Sequence, residues 1–204
     1  MVARFAHSRE LFARPLGAFV LPTTRNGVSS DERKAASGSR GGEGHMKLTD
    51  ILSPERVIHR LEASDKDGVL AELVRRGLIG PERNAGLQAD DERRVLRTLL
   101  ERERLGSTGI KDGLAIPHGK LEGLSQLTAC IGIHPTGLDF GSIDHLPSRI
   151  FIVLLAPQTA GAQHLKALAR ISRLFSDSSL PRRLLDAASS EAIFEEVASE
   201  DARY

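Results

Sequence analysis

The stretch that decides the fold reads Arg149-Ile150-Phe151-Ile152-Val153-Leu154-Leu155-Ala156-Pro157. Its interior is apolar at every position and rich in β-branched side chains, whereas a strand with one solvent-facing side alternates apolar and polar residues. We therefore expect a central strand that is buried on both faces. Such a strand requires a sheet that is covered on both sides.

The sequence on either side of this stretch predicts a second strand and a series of helices. Residues 127–133 have the composition of a strand, and several N-cap residues precede apolar stripes at helical spacing. The predicted helices open at Ser53-Pro54-Glu55 with Val57, Ile58 and Leu61 on one side, run from Asp65 to Leu78 with Gly77 as the stop, run from Asp90 or Asp91 to about Leu105, and cover residues 163–176, 180–188 and 191–197. The expected fold is α/β, a mixed β-sheet flanked by helices on both faces in a single domain.

The chain changes character near Met46. Residues 1–45 hold seven basic and four acidic side chains, whereas residues 46–204 hold 21 basic and 23 acidic ones. Residues 29–45 are polar and rich in Gly and Ser, so they cannot offset the entropy of ordering. We expect residues 1–45 to be a disordered extension, or upstream sequence read through because Met46 is the real start. A targeting or membrane-surface peptide is the alternative, because apolar residues and arginines are mixed before residue 22.

The composition excludes several classes of function. The 204 residues carry 28 Lys and Arg against 27 Asp and Glu, without the basic excess that nucleic acid or an anionic membrane requires. Trp is absent and aromatics make up 4%, which leaves few platforms for base stacking. The single cysteine, Cys130, fits a reducing compartment. We expect a cytoplasmic protein with no nucleic-acid partner and no stable membrane insertion.

Motifs for cofactors, metals and serine hydrolysis are missing as well. The sequence has no G-x-x-x-x-G-K-[ST], no G-x-G-x-x-G after a strand, no H-E-x-x-H, no paired C-x-x-C and no G-x-S-x-G. Its seven histidines are scattered, with no pair at helical spacing. We therefore expect no cofactor and no metal ion.

One glycine-rich stretch carries candidate chemistry: Leu105-Gly106-Ser107-Thr108-Gly109-Ile110-Lys111-Asp112-Gly113-Leu114-Ala115-Ile116-Pro117-His118-Gly119-Lys120. The glycines predict a loop, and residues 114–116 predict a short strand that stops at Pro117. His118 would then lie exposed at the strand end, beside a glycine that does not obstruct approach. Neutral imidazole is a nucleophile near pH 7 and can hold a phosphoryl group. The alternative is an ordinary loop histidine.

These residues resemble a known family. Arg102, the run at 105–110 and Ala115-Ile116-Pro117-His118-Gly119-Lys120 are similar to the active-site block of the type-2 enzyme IIA domains of the bacterial phosphoenolpyruvate-dependent phosphotransferase system, in its fructose, mannitol and nitrogen-regulatory branch. The resemblance continues through Phe140-Gly141-Ser142-Ile143-Asp144, the strand at 150–156 and His164-Leu165-Lys166-Ala167-Leu168, and it covers about residues 46–200.

The resemblance implies a role for each matching residue. His118 would accept a phosphoryl group, through Nε2, from a phosphohistidine on HPr or an HPr-like carrier. Arg102 would face this group and His164 would donate a hydrogen bond to it, which makes these three the expected catalytic residues. Candidates for binding the phosphoryl group are Ser107, Thr108 and Lys120. Histidine-to-histidine transfer implies neither Mg²⁺ nor a nucleotide.

Each supporting residue also has a purely structural interpretation. Arg102 belongs to a charged run that by itself is typical of a solvated helix end with ion pairs. His164 opens a helix and could cap or pack there. Ser107 and Thr108 could be turn residues only, and Lys120 could be simple surface charge.

Two kinds of function follow from the resemblance. The first is a phosphotransferase with a phosphohistidine intermediate, either a sugar-transport enzyme IIA that passes the group to a cysteine of a IIB protein or a nitrogen-regulatory form that signals to target proteins. The second is a non-catalytic interaction module of the same fold. Because the chain carries no membrane segment, no IIB-like cysteine motif and no HPr-like domain, the nitrogen-regulatory form is favoured.

Overall fold

The apolar run at 150–156 forms the middle of strand β5 (Ser148–Pro157) in the computed structural model, which describes residues 46–80, 83, 85–176 and 179–203. Strand β4 (Thr128–Leu138) lies antiparallel beside it, with Ile131 opposite Ile152. Nearly all of β5 is buried, as expected for a strand covered on both faces.

Within the described residues the strands form one five-stranded mixed sheet. Strand β1 (Val57–Ile58) is parallel to β4, on the side away from β5. The other side of β5 pairs in parallel first with β2 (Leu114–Ala115) and then with β3 (His118–Leu121). The order is therefore β1-β4-β5-β2, with β3 continuing along the β2 edge. The predicted mixed sheet is confirmed.

The helices connect and cover these strands. They are α1 (Lys66–Leu73), α2 (Glu92–Arg104), α3 (Gly161–Leu174), α4 (Ser179–Asp186) and α5 (Ser190–Asp201). Short 3₁₀ turns occupy Leu48–Asp50, Pro54–Arg56 and Ala89–Asp91, and a π-helical turn, Val74–Leu78, extends α1.

Alternate residues of β5 pack against different helices. One set faces a core built with α3, α4 and α5, and the other faces a core built with α1 and α2. The first set is Ile150, Ile152 and Leu154, and the second is Phe151, Val153 and Leu155. Because successive side chains of a strand point to opposite faces, one apolar run supplies both cores. The predicted helical layers on both faces are confirmed, in one compact unit of the described residues.

The helix predicted to open at Ser53-Pro54-Glu55 is wrong. Pro54 begins only a single 3₁₀ turn, and the chain then enters β1. The apolar pair Val57 and Ile58 pairs with Ile131 and Gly132 of β4 instead of forming one side of a helix. The β-branched pair suits a buried strand, and sheet pairing overrides the local N-cap and proline signals.

The helix predicted from Asp65 to Leu78 is confirmed, but Gly77 has a different role. Asp65 caps α1 by accepting a hydrogen bond from the backbone N–H of Gly68 at 2.8 Å. Gly77 lies inside the π-helical turn and does not adopt the left-handed conformation of a helix-ending glycine. A Cβ at Gly77 would lie 2.8 Å from Sγ of the buried Cys130, so the glycine permits the turn to touch the sheet.

The predicted N-terminal extension, residues 1–45, lies outside the described residues and stays a prediction. Among the residues that are described, no helix combines the length and the apolar character needed to cross a bilayer.

We predict that Gly77→Ala destabilises the protein by about 1–3 kcal/mol, although alanine has the higher helix propensity, because the new methyl group overlaps Cys130. Chemical denaturation monitored by circular dichroism measures the change. The matched control is Gly161→Ala, where the nearest atom to the new Cβ is Lys120 Nζ at 3.6 Å. Equal stability of the two variants would contradict this interpretation of Gly77.

Candidate functional site

His118 lies at the start of a strand, where the sequence predicted the exposed end of one. Strand β2 ends at Ala115, and β3 begins at His118 itself, directly opposite Leu154 of β5. The carbonyl of Pro117 accepts a hydrogen bond from the backbone N–H of Leu154 at 3.0 Å. This position leaves the side chain half-buried and fixes it to the most buried strand of the sheet.

Gly119 brings helix α2 close to His118. A Cβ at Gly119 would lie 2.7 Å from Cγ2 of Thr98, so only glycine allows the helix to approach β3 this closely. The sequence predicted that this glycine leaves space for an approaching partner, but the space is filled by Thr98. Residues four apart share one face of a helix, so Arg102 lies on the same face of α2 as Thr98. The close contact of Thr98 with Gly119 therefore places Arg102 beside the His118 side chain.

Two neighbours define the protonation of the His118 ring. Nδ1 lies 2.7 Å from the backbone carbonyl oxygen of Ile116, and Nε2 lies 3.1 Å from Nε of Arg102. A carbonyl oxygen can only accept and a guanidinium can only donate, so Nδ1 carries the hydrogen and Nε2 presents its lone pair. The neutral tautomer with a nucleophilic Nε2 is the one that both contacts require.

His164 lies beside His118, in the first turn of α3. The two ring centroids are 5.6 Å apart and the rings are tilted by 58°. His164 is 8% exposed, and its Nε2 is buried without a hydrogen-bond partner. Buried polar nitrogens are normally satisfied, so this unpartnered atom is a candidate hydrogen-bonding group for a ligand of the site.

The pKa values of both histidines are lowered. Burial lowers the pKa of His118 from its usual 6.5 and Arg102 lowers it as well, against opposing effects of the Ile116 carbonyl and Glu103. Burial also lowers the pKa of His164, together with His118 and Lys120. Because both folded-state pKa values lie below 6.5, both rings are neutral near pH 7, and acid destabilises the fold as pH falls below 6.5.

The hydroxyl groups of the two predicted loop residues already have partners. Ser107 is exposed, and its Oγ donates to the carbonyl of Phe140 at 2.7 Å and accepts from the N–H of Gly109 at 3.1 Å. The Thr108 side chain is buried, and its hydroxyl donates to the carboxylate of Glu103. Contact of either hydroxyl with a phosphoryl group stays a prediction, and both hydrogen bonds hold the loop itself.

Lys120 lies on the exposed side of β3, next to the beginning of α3. Its Nζ would be 3.6 Å from a Cβ at Gly161, and its charge helps to lower the pKa of His164. The structure therefore brings four of the predicted residues together at one place: Arg102, His118, Lys120 and His164.

Sequence reasoning missed Glu103 and Lys66. Glu103 was grouped with a solvated helix end, but its side chain is buried, with a Lys66 Nζ to Glu103 Oε1 distance of 2.6 Å. One signal was present in the sequence, because Glu103 continues the apolar stripe of Val95 and Leu99 at intervals of four residues. An acidic residue at such a position indicates a buried partner.

The chemistry available at this site is that of its nitrogen atoms. In the described part of the chain, no group of three or more His, Cys, Asp or Glu side chains could hold a metal ion. The side chains provide an imidazole whose Nε2 is unprotonated, a guanidinium that donates to this Nε2, and a second imidazole with an unpartnered nitrogen.

The fold is that of a phosphotransfer domain, and comparison with known proteins identifies the family. The chain belongs to the EIIA 2 family of the phosphoenolpyruvate-dependent sugar phosphotransferase system, whose family model matches residues 50–200. The resemblance stated from the sequence is confirmed.

Relatives of both regulatory and sugar-transport type share this family. A nitrogen regulatory protein of Bradyrhizobium diazoefficiens is 38% identical over 149 residues, which cover 73% of this chain and 93% of that protein. The fructose-specific EIIABC component of Bacillus subtilis is 30% identical over 156 residues, 76% of this chain but only 24% of that much longer protein. The crystal structure of nitrogen regulatory protein IIA-Ntr from Neisseria meningitidis superposes with a TM-score of 0.66 at 28% identity, covering 74% of this chain and 98% of the other.

We predict that Arg102→Gln raises the pKa of His118, because it removes a positive charge from the face of Nε2. The titration is followed by ¹⁵N NMR of the imidazole nitrogens between pH 4 and 9, about two units either side of the usual value. Arg97→Gln, an exposed residue of the same helix, controls for the loss of net charge. A His118 pKa that is unchanged or lower in Arg102→Gln would remove Arg102 from the site.

Proposed function

We propose that this protein is a phosphocarrier in which Nε2 of His118 accepts a phosphoryl group from a phosphohistidine of HPr or an HPr-like protein. The observation that supports the proposal best is the pair of contacts on one ring. The Ile116 carbonyl binds the Nδ1 proton, and the Nε2 lone pair faces the guanidinium of Arg102.

The transfer is a single exchange of nitrogen–phosphorus bonds. The lone pair of Nε2 forms the new bond to phosphorus while the bond to the donor imidazole breaks, and that electron pair returns to the donor nitrogen. Before the transfer, the Nε–H of Arg102 donates to the lone pair of His118 Nε2. Once this lone pair has bonded to phosphorus, the Nε–H is available to donate to a phosphoryl oxygen. The Ile116 carbonyl keeps a proton on Nδ1, so the ring remains a good leaving group for the next transfer.

Positive charge and hydrogen-bond donors surround the place where the phosphoryl group would lie. A phosphorylated side chain carries roughly −1.5 to −2 charge, which needs such surroundings. Arg102 and Lys120 supply charge, and the buried Nε2 of His164 supplies a free hydrogen-bonding atom. His164 also lies in the first turn of α3, where the positive end of the helix dipole favours an anion.

The fate of the phosphoryl group distinguishes two versions of the function. We favour a role in nitrogen or metabolic regulation, in which phosphorylation changes which target proteins bind, because the Bradyrhizobium relative and the Neisseria structure are nitrogen regulatory proteins. A sugar-transport enzyme IIA that donates to a IIB cysteine is the second candidate, supported by the Bacillus relative. In either version residues 46–204 form the phosphocarrier domain, and the cytoplasmic location rests on the cysteine content.

We predict that the protein incubated with labelled phosphoenolpyruvate, enzyme I and an HPr-like carrier acquires an acid-labile, base-stable phosphate, and that His118→Ala acquires none. His145→Asn is the matched control, because His145 is exposed and asparagine tolerates its φ of 58°. Label on His118→Ala equal to that on the unmodified protein would disprove the proposal. No label on the unmodified protein would favour a non-catalytic interaction module.

We predict that His164→Ala keeps the fold but accepts the phosphoryl group about 10- to 100-fold more slowly. The loss corresponds to one hydrogen bond to a charged group, about 1.5–3 kcal/mol. Rapid-quench measurement of label transfer gives the rate, and circular dichroism reports the fold. Gln163→Ala, the exposed preceding residue of α3, should transfer at the normal rate. Unchanged kinetics in His164→Ala would exclude His164 from the transfer step.

A further inference from the structure

Glu103 is a buried carboxylate to which the proposed transfer step assigns no role. Its side chain is 8% exposed and lies in the last turn of α2, next to the C-terminal end of that helix. This is an unfavourable place for an anion, because burial removes it from water and the negative end of the helix dipole opposes it. The charge therefore depends on specific partners.

Those partners come from two other segments of the chain. Nζ of Lys66, the first residue of α1, lies 2.6 Å from Oε1 of Glu103. The backbone N–H of Thr108 donates to both carboxylate oxygens at 3.0 Å, and the Thr108 hydroxyl donates to Oε2. Burial raises the pKa of Glu103, but the hydrogen bonds from Lys66 and Thr108 outweigh this effect, so the pKa is lowered and the carboxylate is ionised.

A continuous line of hydrogen bonds runs from this carboxylate to the His118 ring. Glu103 holds Thr108 through its N–H and its hydroxyl, and the Thr108 carbonyl accepts a hydrogen bond from the N–H of Ile116 at 3.0 Å. The carbonyl of the same Ile116 binds Nδ1 of His118 at 2.7 Å. The position of the acceptor that selects the His118 tautomer thus depends on the loop that Glu103 holds.

The same loop also constrains the other ring nitrogen. Nη1 of Arg102 donates to the carbonyl of Gly106 at 2.9 Å, while Nε of the same guanidinium reaches Nε2 of His118. Gly106 lies between Glu103 and Thr108, and its N–H donates to the Glu103 backbone carbonyl at 3.2 Å. Arg102 and Ile116, which contact the two ring nitrogens of His118, are therefore both hydrogen-bonded to the loop at residues 106–108.

Lys66 anchors this arrangement to the rest of the domain. Its Nζ donates to the carbonyl of Phe140 at 2.7 Å and lies 4.5 Å from the centre of the Phe140 ring. Phe140 is fully buried in the core, and the hydroxyl of Ser107 donates to the same carbonyl. The loop is thereby connected to a rigid part of the structure.

We propose that Glu103 is a positioning residue for phosphoryl transfer: its carboxylate holds the loop at Thr108, so that the Ile116 carbonyl retains the proton on Nδ1 of His118 and leaves Nε2 free to attack. The inference rests on the proposed function of His118. Glu103 itself touches neither the ring nor the phosphoryl group.

The central experiment compares Glu103→Gln with Glu101→Gln in the full chain. Glutamine keeps the shape of Glu103 but loses the charge that binds Lys66, whereas Glu101 is an exposed residue of the same helix with the same charge change. In Glu103→Gln we expect the transfer rate at saturating HPr-like donor to fall about tenfold or more, with little change in the apparent KM. A lower transfer rate with an unchanged KM is the result expected when the orientation of the His118 ring changes and the binding of the donor protein does not.

A second readout reports the ring directly. ¹⁵N NMR of the imidazole distinguishes the Nδ1–H tautomer from the Nε2–H tautomer without any donor protein. We expect almost only Nδ1–H in the unmodified protein and in Glu101→Gln, and a mixture of tautomers in Glu103→Gln. A residue that supported only stability would not change the tautomer of a folded protein.

Thr108 provides variants that leave Glu103 in place. Thr108→Val removes the hydroxyl that donates to the carboxylate, whereas Thr108→Ser retains it. We expect slower transfer and mixed tautomers in Thr108→Val, and restoration of both in Thr108→Ser. These two variants test the positioning role of Glu103 even if Glu103→Gln fails to fold.

The outcomes separate this inference from the proposed function. One outcome is that the unmodified protein becomes labelled while Glu103→Gln or Thr108→Val shows a normal transfer rate and a normal His118 tautomer. This outcome would overturn only the role of Glu103. An unmodified protein that takes up no label would overturn the proposed function and the inference with it.

Discussion

The site depends on the burial of strand β5 on both faces. The strand supplies side chains to the two helical layers alternately, so a shift by one residue would exchange the side chains that fill the two cores and disrupt the packing of both. Its neighbours therefore have a defined register, and His118 must lie opposite Leu154. A side chain attached to such a strand has little freedom of position, which is what the proposed transfer between two proteins requires of His118.

Close packing of α2 on β3 converts this fixed position into a chemical environment. Gly119 removes the Cβ that would collide with Thr98, and Arg102 then reaches Nε2 of His118 one helical turn further on. Contacts of this kind explain why two charged side chains near the end of α2 differ so much. Arg102 faces the ring, whereas Glu103 turns inward to Lys66 and Thr108.

Much of the fold could be predicted from local pattern. The central strand, its antiparallel neighbour and the helices that begin near Asp65, near Asp91 and after residue 160 follow from apolar periodicity and capping residues. The failure at Pro54 has a physical reason, because Val57 and Ile58 gain more from pairing with β4 than from a helical turn. Gly77 was assigned to the right segment with the wrong cause, since its neighbour Cys130 is distant in sequence.

The sequence by itself determined the family to which the chain belongs and the candidate residue for the proposed chemistry, because both depend on short motifs around His118 and on the buried strand at 150–156. Only the tertiary structure decided the tautomer of His118, the place of His164 beside it and the burial of Glu103. Each of these depends on groups brought together from separate segments, whose distances are set by how helices pack on the sheet. Sequence spacing alone does not fix such distances, whereas hydrogen bonding and desolvation depend on them directly.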